Sequence, residues 1–137
     1  MLFTVDGYWY NGKAVDIRGK VAEVVAGLPS VRRVVVTPYL EALPDLSMID
    51  RAQGWAEFTA PHRDATEIDF VRLPFDHPLY ILYSSGTTGL PKCIVHCAGG
   101  VLLQHLKEHK LHGDVKPDDR LFYFTTCGWM MWNWLVS

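Results

Sequence analysis

Residues 83–92 are the part of this chain best suited to binding a phosphate group. They read YSSGTTGLPK and directly follow the apolar run PLYIL. Glycines let backbone amides approach an anion closely, hydroxyl groups add short hydrogen-bond donors, and a lysine supplies a compact positive charge. The segment therefore predicts a phosphate-binding loop. An ordinary polar loop between two strands has a similar composition, so that alternative stays open at this point.

The loop departs from the Walker A motif, which has glycine immediately before its lysine and serine or threonine after it. Here Pro91 precedes Lys92 and Cys93 follows it. Because the missing hydroxyl would bind Mg²⁺ in a Walker A site, the sequence disfavours a P-loop ATPase.

Several histidines near the loop invite catalytic or metal-binding interpretations. His96 follows the loop, but no acidic partner can be identified for it, so a structural role is favoured over a catalytic one that orients substrate. His105 and His109 are one helical turn apart, with His112 nearby. That spacing is compatible with weak metal binding, but a solvated helix face is the favoured interpretation, and no metal site is predicted.

The first third of the chain predicts a βαβ unit. Residues 2–5 and 33–37 are rich in β-branched or apolar residues, and residues 16–26 carry one apolar stripe that ends before Gly27. The intervening DGYWYNGKA is interpreted as a loop. From residue 39 to 74 the periodicity is weak, and only a short helical or irregular stretch around EFTA is predicted.

The rest of the chain again alternates strands with helices. Helices are predicted at residues 98–111 and from GWMMWNWLVS onward. Alternation of this kind favours an α/β fold, a mostly parallel sheet flanked by helices, and we expect the strands to form mostly one sheet. The further strands are predicted at residues 79–84, 93–96 and 120–125.

Composition limits the possible functions. The chain has 137 residues, 49% of them hydrophobic, which is enough for one domain with a core. Its formal charge of −2 gives no reason to expect nucleic acid or an anionic membrane as partner. No apolar run approaches the length of a membrane span. Three cysteines without CxxC spacing suggest neither a disulfide framework nor a zinc ribbon, and a reducing cytosol fits best.

The full segment YSSGTTGLPK resembles the phosphate-loop signature of the adenylate-forming superfamily, which includes acyl-CoA synthetases, luciferases and peptide-synthetase adenylation domains. The flanking sequence is similar to the branch of acyl-CoA synthetases that activates acetoacetate, as are YWYNGKAVDI and LPSVRRVVVTPYL. The resemblance covers nearly the whole chain. Synthetases for acetate or another short-chain acid, and a non-catalytic nucleotide-binding module, remain alternatives.

The resemblance implies a two-step reaction. ATP, with Mg²⁺, and the carboxylate would give an acyl-adenylate and pyrophosphate, and CoA would then displace AMP to form a thioester. Lys92 would act in catalysis by stabilising phosphate charge. The residues expected around the β- and γ-phosphates are Ser84, Ser85, Gly86, Thr87, Thr88, Gly89 and Lys92.

The resemblance also implies an acyl pocket in the segment TTCGWMMW. The residues that would line it are Trp129, Met130 and Met131, since methionine suits an adaptable apolar wall. Core packing explains such a cluster equally well. Cys93 and Cys97 could suggest a thiol nucleophile, but Cys93 stands where related synthetases often carry glycine, which favours a requirement for small size.

Both ends of the chain lie in apolar sequence, so residues 1–137 are interpreted as a partial AMP-binding N-terminal domain without its C-terminal domain. The main catalytic lysine of the family and its adenine-binding segment have no counterpart here. We therefore expect the chain alone to be inactive, and further chain of the parent protein to pack on residues 128–137.

Overall fold

The computed structural model describes residues 1–85 and 89–137. The chain divides into two compact units, Met1–Ile68 and Asp69–Ser137. Among the described residues, no helix is both long and apolar enough to cross a bilayer.

The first unit contains a three-stranded parallel sheet. Its central strand, Val34–Thr37, pairs with Leu2–Val5 on one side and with Ala52–Gly54 on the other. The three valines of this strand are fully buried, as expected for a parallel strand covered on both faces. The elements of this unit are β1 (Leu2–Val5), β2 (Gly7–Tyr10), β3 (Lys13–Asp16), α1 (Arg18–Ala26), β4 (Val34–Thr37), β5 (Ala52–Gly54), α2 (Trp55–Thr59) and a 3₁₀ turn (Ala60–His62).

The predicted βαβ unit is confirmed. Strand β1 pairs with β4 in parallel, with Leu2 opposite Val34. Helix α1 packs Val21 and Val25 against β4 and Ile49 to form the hydrophobic core. The short helix predicted around EFTA is also present, as α2 and the 3₁₀ turn, whereas β5 was not predicted.

The interpretation of DGYWYNGKA as a loop was wrong, because strands β2 and β3 form an antiparallel hairpin there. Asn11 has φ of 48° and Gly12 has φ of 73°. Two successive positive φ values are those of a type I′ turn, which Asn-Gly favours because its twist matches that of the paired strands. The Asn-Gly pair was therefore the signal for this hairpin.

Asp6 joins the end of β1 to the loop that follows β4. Its side chain is 1% exposed. Its carboxylate accepts hydrogen bonds from the backbone N–H groups of Tyr39 at 2.7 Å, Leu40 at 3.0 Å and Glu41 at 2.8 Å. Burial by itself raises the pKa of Asp6, but these backbone donors outweigh it and hold the pKa below the ordinary value.

Replacing Asp6 by Asn should destabilise the chain by about 2 kcal/mol, because an amide turns an N–H group toward backbone donors that need an acceptor. The lowered pKa also predicts a pH effect. The unfolded chain binds a proton on Asp6 more readily, so this stabilisation is present above about pH 4 and is lost as the pH falls through the folded-state pKa. Urea unfolding of the dilute chain at pH 7 and pH 3, followed by tryptophan fluorescence, measures both effects.

The exposed Asp64 provides the matched control, since Asp64→Asn should leave the unfolding free energy unchanged at both pH values. An Asp6→Asn variant as stable as the parent at pH 7 would contradict the role of Asp6.

The second unit is built on an antiparallel hairpin. The strands pair from Pro78 opposite Cys97 to Ser84 opposite Lys92. The elements of this unit are β6 (Pro78–Ser84), β7 (Lys92–Cys97), α3 (Ala98–Lys107), a π-helical turn (Glu108–His112) and α4 (Met130–Val136).

The overall α/β class with a parallel sheet is confirmed, but two details of the prediction were wrong. Strands β6 and β7 form a sheet of their own and are antiparallel. Residues 85–91, which connect them, are too few for the crossover that a parallel pair needs. Residues 120–125 form no strand, because none of the described residues pairs with their backbone.

The helices predicted in this unit are confirmed with altered bounds. Helix α3 begins at Ala98 and continues as a π-helical turn from Glu108, where the prediction had one α-helix to residue 111. Gly99 lies in its first turn, where a Cβ would be 2.1 Å from the Cδ2 atom of Phe75 and would displace that ring. The predicted last helix is α4.

Candidate functional site

The β6–β7 hairpin places two polar residues of the predicted loop, Ser84 and Lys92, on the same face as His96. Ser84 lies opposite Lys92, Leu82 opposite Ile94, and Tyr80 opposite His96. Residues directly opposite each other in an antiparallel pair point to the same side, and alternate residues of one strand share that side. Lys92 and His96 therefore share a face and are separated by about 13 Å along β7, at about 3.3 Å per residue.

A cavity of about 640 Å³ lies in the second unit beside this face. It brings the serines at the start of the predicted phosphate loop together with all three residues of the predicted acyl pocket. Its walls are otherwise largely apolar. The lining residues are Leu82, Tyr83, Ser84, Ser85, Ile94, His96, Gly128, Trp129, Met130 and Met131.

Of the other predicted loop residues that the structure describes, Gly89 and Lys92 do not line this cavity. Gly86, Thr87 and Thr88 lie outside the part of the chain that the structure describes. Gly89 has φ of 142°, a conformation that favours glycine. Lys92 is exposed and is the first residue of β7, at the loop end of the hairpin.

Helix α4 positions the acyl-pocket residues because it begins next to a turn. The Trp129 N–H donates to the Thr126 carbonyl at 3.0 Å, and the Trp132 N–H donates to the Trp129 carbonyl at 3.0 Å. Trp129 is extended and precedes the helix, which starts at Met130. The side chains of Trp129 and Met130 are exposed and that of Met131 is half-buried. These three residues therefore form an accessible wall.

A second, smaller cavity of about 350 Å³ lies between the hairpin and the two helices of this unit. Leu82, His96 and Met130 line both cavities. These three side chains therefore form the partition between the larger cavity and the interior of the unit.

The favoured interpretation of His105 and His109 as a solvated helix face was wrong. His105 is 8% exposed, and its Nδ1 atom lies 2.5 Å from the Ser137 hydroxyl oxygen. His109 Nε2 donates to the Trp134 carbonyl at 2.9 Å, and its ring stacks on the Trp134 indole with centroids 4.7 Å apart. Both histidines thus join α3 and the π-helical turn to α4.

Burial lowers the pKa of His105, and the neighbouring imidazoles of His109 and His96 lower it further. A neutral His105 suits its packed position between helices. No group of three or more His, Cys, Asp or Glu side chains in the described parts of the chain is arranged to hold a metal ion.

The AMP-binding enzyme family matches residues 2–136. This chain belongs to that family. The matched range includes the predicted loop, the hairpin and α4.

Curated relatives match the chain over its whole length. Acetoacetyl-coenzyme A synthetase of Rhizobium meliloti is 55% identical over 138 residues, which are 99% of this chain and 21% of the relative. Acetoacetyl-CoA synthetase of Gallus gallus is 49% identical over 141 residues, 100% of this chain and 21% of the relative. Malonamoyl-CoA synthetase of Penicillium aethiopicum is 46% identical over 142 residues, 100% of this chain and 20% of the relative.

The fold also matches a solved structure, acetoacetyl-CoA synthetase from Streptomyces lividans. The TM-score is 0.84 with 48% sequence identity, over 98% of this chain and 20% of that protein. This chain therefore spans about a fifth of the length of the relatives that it matches.

Proposed function

We propose that this chain supplies the phosphate loop and part of the acyl pocket of an ATP-dependent, AMP-forming acyl-CoA synthetase that acts on acetoacetate. The observation that carries the proposal is the 640 Å³ cavity, because it joins Ser84 and Ser85 to the Trp129–Met131 wall. An adenylation site needs phosphate donors and a small apolar pocket on adjoining walls, so that the carboxylate meets the α-phosphorus of ATP.

The loop end of the hairpin would stabilise the phosphates. Attack of a carboxylate at the α-phosphorus moves negative charge onto the departing pyrophosphate, which fixed donors and a cation stabilise. Ser84 and Ser85 supply hydroxyl donors there, and Lys92 supplies the charge. We place Gly86, Thr87, Thr88 and Gly89 in the same loop around the β- and γ-phosphates.

The other end of the cavity would hold the acyl group. Trp129, Met130 and Met131 give it an apolar wall, and methionine adapts to small differences in ligand shape. ATP would arrive as its Mg²⁺ complex, with CoA as the second-step acceptor. In this proposal the described residues bind and orient the phosphates and the acid, while the metal enters with the substrate.

Acetoacetate is the favoured acid because the Rhizobium meliloti and Gallus gallus relatives are named acetoacetyl-CoA synthetases and match 99% and 100% of the chain. The malonamoyl-CoA synthetase of Penicillium aethiopicum, at 46% identity, makes malonamate a second candidate. Acetate and a purely nucleotide-binding role are the remaining alternatives.

We also infer that the protein works in the cytosol, because Cys93, Cys97 and Cys127 are all free thiols.

The proposal is tested by grafting residues 2–136 into the Streptomyces lividans enzyme in place of its matching stretch. This chimera is the grafted enzyme. ATP–pyrophosphate exchange is then measured with acetoacetate, malonamate, acetate and butyrate. We expect exchange to be fastest with acetoacetate. A grafted enzyme that melts like the unaltered enzyme but exchanges pyrophosphate with none of these acids would contradict the proposal.

A further inference from the structure

His96 occupies the inner wall of the larger cavity rather than its loop end. It is half-buried, and it is one of the residues that separate the larger cavity from the smaller one. Lys92, on the same face of β7, lies about 13 Å away at the loop end, by the strand rise of about 3.3 Å per residue. An acid joined to the α-phosphorus would extend away from the loop, along the hairpin toward His96.

The acids named by the relatives share one chemical feature beyond the carboxylate. Acetoacetate has a ketone at its third carbon, and malonamate has an amide carbonyl at the same position. The relatives that carry these two names match the entire chain. A pocket that selects either acid over a plain short-chain acid needs a hydrogen-bond donor at that carbonyl, because a carbonyl buried without a donor is unfavourable.

Few side chains of the cavity can supply such a donor away from the phosphates. Ser84 and Ser85 belong to the loop end. Tyr83 is 68% exposed and alternates to the other face of β6, and Trp129 is also 68% exposed. The remaining lining side chains other than His96 have no N–H or O–H group, and they are Leu82, Ile94, Gly128, Met130 and Met131.

The His96 imidazole is free to make this contact. Among the described residues, no hydrogen bond involves its ring nitrogens, whereas His105 and His109 each have a hydrogen-bonding partner on α4 or at Ser137. A neutral imidazole always carries one N–H donor, so His96 can donate without being charged.

We propose that His96 selects 3-oxo acids by donating a hydrogen bond from its ring N–H to the carbonyl at the third carbon. This inference rests on the proposed function and adds the residue that determines its substrate class. His96 is then a specificity-determining residue, and it takes no part in the transfer of the adenylyl group.

The test compares two acids that differ at this carbonyl, acetoacetate and butyrate, in the grafted enzyme. His96→Phe keeps a planar ring but removes the donor. We expect kcat/KM for acetoacetate in pyrophosphate exchange to fall about tenfold to a hundredfold, as for loss of one buried hydrogen bond. The kcat/KM for butyrate should stay within about twofold of its value in the grafted enzyme that keeps His96. The ratio of the two kcat/KM values, acetoacetate over butyrate, should therefore fall nearly as far as the value for acetoacetate itself.

Two further variants separate recognition from packing. His96→Gln places an amide N–H in the same pocket and should restore much of the preference for acetoacetate. Cys97→Ser alters the neighbouring residue, which does not line the larger cavity, and should leave the preference unchanged. Equal losses for both acids in His96→Phe would mean that His96 only supports the fold, and this result would overturn the inference while leaving the proposed function intact.

A measurement on the 137-residue chain itself makes the inference independent of the graft. With ¹⁵N-labelled imidazoles, acetoacetate should shift the His96 ring signals more than butyrate does at equal concentration. The signals are assigned by their disappearance in His96→Gln. Identical shifts with both acids, or none with either, would contradict the contact even if the grafted enzyme is inactive for other reasons.

Discussion

Lys92→Ala in the grafted enzyme is expected to slow ATP–pyrophosphate exchange with acetoacetate by about 10², the usual loss when one electrostatic stabiliser is removed. Lys92 lies opposite Ser84 at the loop end of the β6–β7 hairpin, where the phosphates of ATP are proposed to bind. Negative charge on the departing pyrophosphate is larger in the transition state than in the ground state. Removing the lysine charge therefore destabilises the transition state more than the ground state. The effect should therefore appear mainly in kcat.

Two variants define what this result means. Lys92→Arg keeps a positive charge and should retain more activity than Lys92→Ala, although the guanidinium differs in shape and in its hydrogen bonds. Lys110→Ala removes an exposed lysine from the π-helical turn of the same unit and should leave the rate unchanged. Unchanged exchange in Lys92→Ala would refute the assignment of Lys92 to the phosphates.

The parts of the fold that follow from local sequence could be predicted. The apolar stripe of α1 and the valines of β4 determine a βαβ unit, because both patterns can bury their apolar residues only against each other. The turn chemistry of Asn11-Gly12 also identifies a hairpin, although the same pair, together with Gly7, led to the prediction of a loop. Connection length likewise determines that β6 and β7 are antiparallel.

Other parts depend on contacts that no local pattern contains. Residues 120–125 are apolar and aromatic enough for a strand, but a strand needs a backbone partner, and the described residues provide none. His105 and His109 resemble an exposed pair on a helix. His105 is buried and His109 half-buried, since Trp134, 25 residues further along the chain, stacks on His109, and the Ser137 hydroxyl lies against His105.

In the candidate site, too, some features follow from local sequence and others depend on contacts between distant residues. The loop is recognisable from residue types alone, because phosphate binding needs glycine, hydroxyl groups and a cation within a short stretch. The joining of Ser84 and Ser85 to Met130 and Met131 depends on how α4 packs beside the hairpin, and only the cavity reveals it. The shared face of Lys92 and His96 could have been found from the two-residue period of β7.

The 137-residue chain by itself is expected to associate in solution and to show no pyrophosphate exchange. Its second unit exposes 83% of Phe122, 87% of Phe124 and 68% of Trp129. Aromatic side chains bury about 150–250 Å² each when packed, so these three together expose several hundred Å² of apolar surface whose burial favours association. Inactivity is expected because this chain covers only 21% of the length of each of two relatives that are named synthetases.

Light scattering over a range of protein concentrations measures the association, and exchange with acetoacetate measures the activity. Replacing Phe122 and Phe124 together by serine should shift the chain toward the monomer, because it removes two of the three exposed aromatic groups without touching the hydrophobic core. Lys110→Ala, which changes charge and leaves the apolar surface intact, should associate like the parent chain. A monodisperse monomer would contradict the first expectation, since the exposed aromatic side chains would then not cause association. Pyrophosphate exchange by this chain would contradict the second, since the 137 residues would then suffice for adenylation.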